Sequence, residues 1–569
     1  MATSPGADPA VSEDAFNRAA GRQLLLFAAL AIGGIALLML GLSWASSLTG
    51  SASGNADAAD PRTSTVTAFL REEPPQLDSS RATDQVSGMV LGHVIEGLLR
   101  HDENNQLAPG VAERWEITAG GATFWLRENA KWSDGKPVTA HDFVFAWRLA
   151  VDPKTASEYA YILYPLKNGE AINNGELPLE ALGAVAVDDR TLSVTFEQPI
   201  AYFEKLAAFS TYYPIREDFF RSTNGAYGAD ADTLLYNGPY SISRWVHGAS
   251  LRMERNPHYW NPDRSTVQTL DFAYITSDAN ATLNLFKDGK IAYATLLAEN
   301  LNEAMVQRWQ INRFMDGGVF YIEFNHREGR LTGNHNLRRA MQLANDSAEL
   351  VYKVTKLPGY LPGETLFPVW LKGVNGFFRE EYPASQPAFD PAAARRHLEL
   401  AKAELGLKAI PPLVLLSGDN PVSNIQAEYY QQVFRKHLGI ELKIDKQIFK
   451  QRLAKMLAGD FDLVLAGWGP DYDDPLTFGD LFSSWNMNNR GRYNNPALDA
   501  QVRIAQRSQD PRTRMDAFGE IQKILIDDAV ILPNYERGVV YVTHPGISGL
   551  VRRAVGPDPD FTNIRFKGN

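Results

Sequence analysis

The residues with the clearest potential for binding chemistry are three aspartates, Asp471, Asp473 and Asp474, in the stretch GWGPDYDDP at residues 467–475. Clustered carboxylates can coordinate a metal ion, face an ammonium group or form a solvated acidic turn. A calcium loop requires glycine at its sixth position, where Leu476 stands, so the pattern disfavours a metal site. Ligand binding and a solvated turn remain the open interpretations.

Signatures of catalysis are absent from the sequence. It contains no G-x-x-x-x-G-K-[ST] phosphate loop, no H-E-x-x-H zinc helix and no G-x-S-x-G nucleophile elbow. The 10 histidines are scattered and none pairs with another at metal-ligand spacing. We therefore predict a protein that is not an enzyme, with no catalytic residue, metal or cofactor.

Aromatic residues are a second signal for ligand binding. The chain has 11 Trp, 22 Tyr and 28 Phe. Aromatic rings with a few polar groups line small-molecule clefts, although each ring taken singly is equally consistent with a plain core position. The rings in the last third of the chain include Trp468, Tyr472, Tyr493, Phe449 and Tyr535.

The elements that position the aspartates can be read from the hydrophobic pattern. Residues 461–468, FDLVLAGW, form an apolar run typical of a buried strand, and the Gly-Pro break at residues 467–470 ends it. This strand follows IELKIDKQ, residues 440–447, and a helical stretch. The β-α-β order predicts a sheet that is parallel in part and places the aspartates at a strand end.

Other segments carry local signals for single elements. Residues 139–142, TAHD, predict a capping box that opens a helix. Asp390, followed by proline, predicts the start of another helix that Gly406 ends. Residues 185–196 alternate apolar and polar side chains around two aspartates, which is typical of a β-hairpin.

Composition and charge limit the class of partner. The chain has 569 residues, of which 44% are hydrophobic and 22% charged, enough for two or three packed lobes. The net charge is -11 and no dense run of Lys and Arg occurs. We therefore predict that nucleic acid is not a partner.

A membrane segment is predicted near the N-terminus. Residues 24–42, LLLFAALAIGGIALLMLGL, are all apolar or glycine and can cross a hydrocarbon core of roughly 30 Å at about 1.5 Å per residue. Arg18 and Arg22 precede it and the next basic residue is Arg62, which places the N-terminus in the cytoplasm and the bulk of the chain outside. Small residues after the segment leave signal cleavage open, and we favour an uncleaved anchor.

The segment that follows has the composition of a tether. Residues 45–64 are rich in Ser, Gly, Ala and Asp, which predicts a flexible linker. The sequence contains no cysteine. This excludes disulfides, thiolate metal sites and the lipid-modified cysteine that holds many exported binding proteins at a membrane. The apolar segment is therefore the predicted anchor.

Long motifs stand in the order typical of one known family. They are GLLRHDENNQLAPGVAERWEI at residues 97–117, TFWLRENAKWSDGKPVTAHDFVFAWR at 123–148, LLYNGPYSISRW at 234–245, LRMERNPHYWN at 251–261 and DFDLVLAGWGPDYDDP at 460–475. From about residue 65 to the C-terminus, the chain resembles the oligopeptide-binding proteins of ABC importers, within bacterial extracellular solute-binding protein family 5.

The resemblance implies an α/β protein with a type II periplasmic-binding fold. Such a fold has two α/β lobes plus an inserted extra domain, and here one N-terminal transmembrane helix would precede it. The implied boundaries are a cytoplasmic N-terminus at 1–23, the anchor at 24–44, the linker at 45–64 and the solute-binding domain at 65–569. Within the solute-binding domain, lobe I covers about 65–94, 216–298 and 536–569, the inserted domain about 95–215, and lobe II about 299–535.

The resemblance also implies a mode of ligand binding. In that family an extended peptide is enclosed between the lobes, bound mainly through its backbone, and presented to a membrane permease. The break at residues 467–470 would let backbone groups reach the ligand beyond a strand end. The family's reader of the peptide α-ammonium falls on Asp471, where a charge-assisted hydrogen bond is worth about 1.5 to 3 kcal/mol. The candidate ligand-binding residues are Asp471, Trp468, Gly467, Gly469, Tyr159, Tyr472, Phe449, Tyr535, Asn237 and Gln85.

Three positions depart from the family pattern. Leu465 stands where close relatives that grip tripeptides have an arginine, and Ser423 aligns with a histidine that helps hold the ligand carboxylate. Residues 83–85 align with the first-lobe strand that pairs with the peptide, without the usual glutamate. A reader of the ligand carboxylate is therefore not evident, so the natural ligand is expected to be longer, modified or a cell-wall peptide.

We predict an extracytoplasmic solute-binding protein that captures peptides and delivers them to an ABC importer. It would lie in the periplasm, anchored to the inner membrane by its N-terminal helix, with an ABC permease as partner. Secretion to the periplasm after signal cleavage, a different solute such as a nickel complex or haem, and a tethered ligand sensor remain open alternatives.

Overall fold

Three sheets organise residues 57–567, the part of the chain that the structure, a computed structural model, describes. The predicted membrane segment at residues 24–44 and most of the predicted linker lie outside this part. Within residues 57–567, no helix is both long and apolar enough to cross a membrane.

The first sheet has five strands and is mixed. Thr65–Leu70 and Thr269–Ile275 pair in parallel, and the other neighbours pair antiparallel. Thr65–Leu70 buries its second, fourth, fifth and sixth residues, so this strand runs into the interior of the molecule. The strand order is Ala59–Asp60, Thr65–Leu70, Thr269–Ile275, Ser250–Arg255 and Tyr240–Val246.

The second sheet is antiparallel and carries a helix that the sequence predicted. Asp142 Oδ2 accepts a hydrogen bond from the Thr139 backbone N–H at 2.8 Å, which closes the predicted capping box at the start of Ala140–Val151. The predicted hairpin is confirmed as Ala184–Asp188 and Thr191–Thr195. The strand order is Ala112–Thr118, Gly121–Leu126, Thr191–Thr195 and Ala184–Asp188.

The third sheet has seven strands and contains the strand that leads to the aspartates. Leu413–Gly418 pairs in parallel with both Leu442–Gln447 and Leu463–Trp468, and the helix Phe449–Ala458 connects the latter two. The β-α-β prediction and the parallel part of the sheet are therefore confirmed. The strand order is Tyr293–Thr295, Ile531–Thr543, Ile311–Phe324, Leu463–Trp468, Leu413–Gly418 and Leu442–Gln447, and Leu361–Pro362 pairs with Ile531–Thr543.

Two long strands of this sheet run antiparallel to each other. Ile311–Phe324 and Ile531–Thr543 pair along their length, with an irregularity between Met315 and Val319. The boundary expected between residues 535 and 536 falls inside Ile531–Thr543, which pairs with the same neighbour on both sides of that point. The division into lobes at that residue stays a prediction.

Helices pack on the sheets, and their ends follow local sequence signals. The predicted helix is observed as Pro391–Leu405, with Asp390 as its N-cap and Gly406 in the left-handed region, at φ 66°, as its C-cap. The other α-helices are Gln85–Val94, Gly169–Asn173, Phe203–Leu206, Glu217–Ser222, Ala279–Lys287, Leu301–Val306, His335–Leu343, Ser347–Glu349, Phe378–Glu381, Pro421–Leu438, Leu476–Gly479, Pro496–Arg507 and Pro511–Asp527.

Candidate functional site

A cavity of about 450 Å³ is lined by residues of the five-stranded and seven-stranded sheets, and its volume is within the size range of ligand pockets. Its walls come from the end of Thr65–Leu70, the start of Gln85–Val94, the two long antiparallel strands and the end of Leu463–Trp468. Eight of the sequence-predicted site residues line this cavity: Gln85, Tyr159, Phe449, Gly467, Trp468, Gly469, Asp471 and Tyr535.

The strand Leu463–Trp468 reaches the cavity with one of its edges unpaired. On one side it pairs with Ile311–Phe324 over its full length. On the other side Leu413–Gly418 pairs only with Leu463 and Val464. The last four residues of the strand therefore present one edge without a strand partner among the described residues.

Gly467 is the exposed residue on that open edge. The backbone carbonyl of Leu465 accepts a hydrogen bond from Arg452 Nη1 at 3.1 Å. Backbone groups that face one edge of an antiparallel strand recur every second residue, so the N–H and C=O of Gly467 face the same way. An extended ligand can pair with these groups as an added strand.

Both glycines of the break are required by close approach of neighbouring side chains. A Cβ on Gly467 would lie 2.5 Å from Phe320 Cδ1, and a Cβ on Gly469 would lie 1.9 Å from Gln85 Nε2. Any larger residue would push these side chains into the cavity or away from their partners. The Gly-Trp-Gly spacing therefore sets the shape of the cavity wall.

Asp471 presents half of its carboxyl group without a partner. Its Oδ1 accepts a hydrogen bond from Tyr159 Oη at 2.8 Å. Its Oδ2 is buried and has no hydrogen-bond partner among the described residues. Burial raises the pKa of Asp471 to about 8, and the hydrogen bond from Tyr159 opposes that rise. The site is therefore suited to a ligand group that donates hydrogen bonds and carries positive charge.

Thr477 holds the loop that carries Asp471. The Asp471 backbone N–H donates to Thr477 Oγ1 at 2.9 Å, and Trp468 Nε1 donates to the Thr477 carbonyl at 2.8 Å. The Tyr159 ring packs edge-on against Trp468 with the ring centroids 6.2 Å apart. Sequence reasoning missed Thr477, because its role depends on the turn that brings it back to the strand end.

The other two aspartates have different environments, and the interpretation of a solvated acidic turn is wrong for one of them. Asp473 is exposed. Asp474 is buried and forms a bidentate ion pair with Arg514, at 2.7 and 3.0 Å, because the helix Pro511–Asp527 packs over the turn. Asp474 is therefore a structural group, and Asp471 is the aspartate that faces the cavity.

A polar and aromatic cluster forms another wall of the cavity. Tyr535 stacks on Phe320 with the ring centroids 4.8 Å apart. Arg537 lies over the Phe320 ring at 4.8 Å and forms a buried ion pair with Asp316. Arg537 Nη2 also donates to Gln85 Oε1 at 2.9 Å. The cluster fixes the Gln85 side chain over Gly469.

Two predicted site residues do not line the cavity. Tyr472 is buried against Tyr202 in a stacked pair with ring centroids 6.0 Å apart. Asn237 is buried and bonded to the backbone of Glu96, accepting from its N–H at 3.0 Å and donating to its C=O at 2.9 Å. Both side chains contact the protein interior rather than this cavity, and their role in ligand binding stays a prediction.

The expected first-lobe strand at residues 83–85 is also wrong. Asp84 caps the helix Gln85–Val94 and accepts from the backbone N–H groups of Val86 and Ser87 at 3.1 and 2.8 Å. The helix starts at Gln85, whose side chain lies next to Gly469 at the cavity wall. The acidic N-cap before an apolar helix is the signal that could have identified this start.

Two arginines that sequence reasoning missed also line the cavity. Arg71 directly follows the strand Thr65–Leu70, and Arg452 lies in the helix Phe449–Ala458. Arg452 contacts the carbonyl of Leu465, the position at which the family's arginine is absent. Single basic residues carry no distinguishing sequence signal, which is why neither was predicted.

Contacts across the cavity join the parts of the chain on either side. The hydroxyl of Tyr159 donates a hydrogen bond to Asp471 Oδ1. Glu158 forms an ion pair with Arg490 at 2.7 Å. The cleft is therefore narrow in this structure.

Comparisons with known proteins identify relatives over most of the chain. Residues 106–489 match the family described as bacterial extracellular solute-binding proteins, family 5 Middle. The dipeptide-binding protein DppE of Bacillus subtilis is 30% identical over 488 residues, which cover 85% of this chain and 89% of that protein. The structure of Listeria monocytogenes OppA bound to peptide has a TM-score of 0.83 at 31% identity, covering 89% of this chain and 99% of that chain.

A third relative allows two conformations to be compared. The Escherichia coli murein tripeptide binding protein MppA has a TM-score of 0.81 at 27% identity, over 88% of this chain and 98% of that chain. The unliganded open form of MppA has a TM-score of only 0.59, over 89% of this chain and 97% of that chain. The arrangement of the present structure therefore differs from that open form.

Proposed function

The chain belongs to the bacterial extracellular solute-binding proteins of family 5, and we propose that it captures peptides in its cavity and delivers them to an ABC importer. The relatives that support the peptide ligand are named as dipeptide-binding, oligopeptide-binding and murein peptide-binding proteins. Delivery to a permease requires a cleft that opens and closes around its ligand.

The observation that carries this proposal is the open strand edge at Gly467 followed by the half-satisfied carboxyl of Asp471. An extended peptide that pairs with the edge ends in an ammonium group, which is the cation that a peptide supplies beyond its last backbone hydrogen bond. The unpartnered Asp471 Oδ2 is the acceptor for that group. Strand pairing is independent of the peptide's side chains, so it suits a binder of varied peptides.

The remaining cavity-lining candidates have supporting roles in this proposal. Tyr159 orients the Asp471 carboxyl, and Gln85 and Gly469 shape the cavity beside it. The rings of Trp468, Phe449 and Tyr535 provide apolar surface for the ligand's side chains.

The ligand itself tests the proposal. Protein purified from its producing cells without refolding is denatured, and the released small molecules are identified by mass spectrometry. We expect peptides in about equimolar amount. A nickel complex, haem or another non-peptide solute at that ratio would contradict the proposed ligand class.

We further propose that the protein works outside the cytoplasmic membrane, held there by residues 24–44. The support is the length of the apolar run, the arginines before it and the absence of cysteine. N-terminal sequencing of the mature protein should find a start before residue 24 in the membrane fraction. A mature N-terminus between residues 45 and 61 in a soluble fraction would instead indicate a cleaved signal.

A further inference from the structure

Most of the arginines around the cavity are neutralised by carboxylates of the protein. The pairs are Arg537 with Asp316, Arg552 with Asp558, Arg553 with Asp560, and Arg490 with Glu158. Arg71 and Arg452 are different, because neither has a carboxylate oxygen within 4.0 Å among the described residues. The cavity therefore contains two guanidinium groups that the protein leaves without a counter-charge.

Arg71 lies on one wall, at the end of the strand Thr65–Leu70, and its side chain is exposed to the cavity. The like charge of Arg537 and burial by the surrounding walls lower the pKa of Arg71. Asp316, the nearest acidic influence, is already paired with Arg537. An anion that enters beside Arg71 would relieve this repulsion.

Arg452 lies in another part of the cavity wall, in the helix Phe449–Ala458. Among the described residues its guanidinium donates one hydrogen bond, from Nη1 to the carbonyl of Leu465 at 3.1 Å, and its Nε is buried without a partner. Its planar group lies 5.5 Å from the centre of the Phe449 ring. An unpartnered donor at this position leaves the guanidinium available to a ligand acceptor.

Glu72 is the protein's own alternative partner for these arginines, and the structure does not use it. Glu72 lines the same cavity and is influenced by both Arg452 and Arg71, yet it forms no ion pair with either. Burial and the charge of Asp419 raise the pKa of Glu72, and the charges of Arg452 and Arg71 oppose that rise.

We propose that Arg71 and Arg452 bind carboxylate groups of the ligand, so that the cleft selects peptides with negative charge in addition to the ammonium bound at Asp471. The inference rests on the proposed function, since it assigns the second charge of the same ligand. A guanidinium binds a carboxylate through two parallel hydrogen bonds, which adds directionality to the charge attraction. The carboxylate can be the peptide's C-terminus or an acidic side chain.

The test compares matched peptides by calorimetry at pH 7. Alanine peptides of two to five residues are measured as free acids and as C-terminal amides. The length that binds most tightly is then made as a C-terminal amide with either Glu or Gln at its central position. If the C-terminus is bound, the free acid should bind about 10- to 100-fold more tightly than its amide. If an acidic side chain is bound, the peptide amide with Glu should bind more tightly than the one with Gln by a similar factor.

The variants Arg71→Gln and Arg452→Gln locate this preference. Each variant should reduce the ratio of affinities for the free acid and the amide, or for the Glu and Gln peptides, severalfold toward one. Lys450→Gln is the matched control, because Lys450 lies in the same helix as Arg452, is exposed and does not line this cavity. It should keep the wild-type ratio although the net charge changes equally. Arg71 is exposed, so its variant remains informative if Arg452→Gln fails to fold.

Each outcome decides between defined conclusions. Equal affinity of wild type for charged and uncharged peptides would overturn the inference and leave the proposed function intact. A preference that survives both Arg→Gln changes, or one that Lys450→Gln removes equally, would overturn it as well. Absence of binding to any of these peptides would contradict the proposed function, and the inference with it.

Discussion

The Tyr159 hydroxyl donates a hydrogen bond to Asp471 Oδ1 at 2.8 Å across the cavity, and the second oxygen of the same carboxyl remains buried without a partner. The tyrosine therefore fixes the orientation of the carboxyl and leaves one acceptor directed at the ligand space. A carboxyl held in this way distinguishes a ligand ammonium from a neutral amide, because only the ammonium supplies a compensating charge.

The first prediction concerns that distinction. Asp471→Asn preserves the shape of the side chain but removes its charge. It should therefore weaken the binding of a peptide with a free amine by about 2 to 4 kcal/mol. An N-acetylated peptide should lose far less binding free energy. Calorimetry with the two forms of one peptide measures both values.

Asp473→Asn is the matched control for this change. Asp473 is two positions away and exposed, so its charge is screened and the variant should cost under about 1 kcal/mol for either peptide. Equal losses for the free and acetylated peptides on Asp471→Asn would contradict the assignment of Asp471 to the ammonium.

The second prediction is proton release on binding. Burial raises the pKa of Asp471 to about 8 in the empty cavity, whereas an ammonium beside it stabilises the ionised form and lowers that pKa again. At pH 6 the carboxyl is protonated before binding and ionised afterwards, so about one proton should leave per free-amine peptide bound. Calorimetry in buffers of different ionisation enthalpy counts these protons.

The acetylated peptide and the Asp471→Asn protein provide the comparison for proton release, and neither should release this proton. The same raised pKa predicts that the contribution of Asp471 to folding stability falls as pH rises from about 4 to about 8, because the folded form then binds the proton more strongly than the unfolded form. In urea unfolding of the ligand-free proteins, the free energy of unfolding should therefore fall more steeply with pH for the wild type than for Asp471→Asn in this window.

The third prediction concerns stability of the loop. Asp474 and Arg514 form a buried pair with side-chain exposures of 4% and 8%. Asp474→Asn leaves the charge of Arg514 buried and unpaired, so it should lower the free energy of unfolding by about 3 to 5 kcal/mol. Arg514→Met should cost less, because Lys205 Nζ still lies 4.0 Å from Asp474 Oδ2. Urea unfolding of the ligand-free protein measures this loss, and Asp473→Asn should stay within about 0.5 kcal/mol of wild type. Similar unfolding curves for all three variants would mean that the pair is solvated.

The fourth prediction concerns closure of the cleft. A Cβ on residue 469 would lie 1.9 Å from Gln85 Nε2, so Gly469→Ala must displace Gln85 from its 2.9 Å hydrogen bond with Arg537. Because Gln85 and Gly469 fall in different predicted lobes, the clash pushes the two lobes apart, and we expect the ligand-free variant to favour a more open arrangement. Small-angle scattering should show a larger radius of gyration.

A second substitution tests whether the clash itself causes the opening. Gln85→Ala combined with Gly469→Ala removes the clash, so the double variant should be more compact than Gly469→Ala alone. Gly120→Ala is the control, because a Cβ there would meet nothing within 4 Å. Scattering that does not differ between wild type and Gly469→Ala would show that the Gln85 contact does not limit opening.

The elements that follow local patterns were predictable from the sequence, and the contacts between distant segments were not. The strand Leu463–Trp468 and the placement of Asp471 at its end follow from an apolar run broken by glycine and proline. The burial of Asp474 depends on Arg514, a residue in a helix that packs back over the turn. No periodicity near Asp474 encodes that helix, so the turn looked solvated.

The same limit applies to the charges of the cavity. Arg71 and Arg452 are single basic residues in ordinary surroundings of sequence, and only the packing of two walls around one space leaves them without carboxylate partners. Asn237 shows the converse limit, since the family motif marks it as a candidate for the ligand, whereas the packing directs its amide to the backbone of Glu96.

The open edge of the strand at Gly467 also bears on how the protein avoids self-association. Unpaired strand edges are templates for pairing between copies of a chain, and exposed ones are commonly protected by charge, proline or bulges. Here the edge faces the cavity, whose walls contact each other through the hydrogen bond between Tyr159 and Asp471. We therefore expect the cleft to admit a single extended chain and to exclude the sheet edge of a second folded molecule, which would protect the protein against fibril-like assembly.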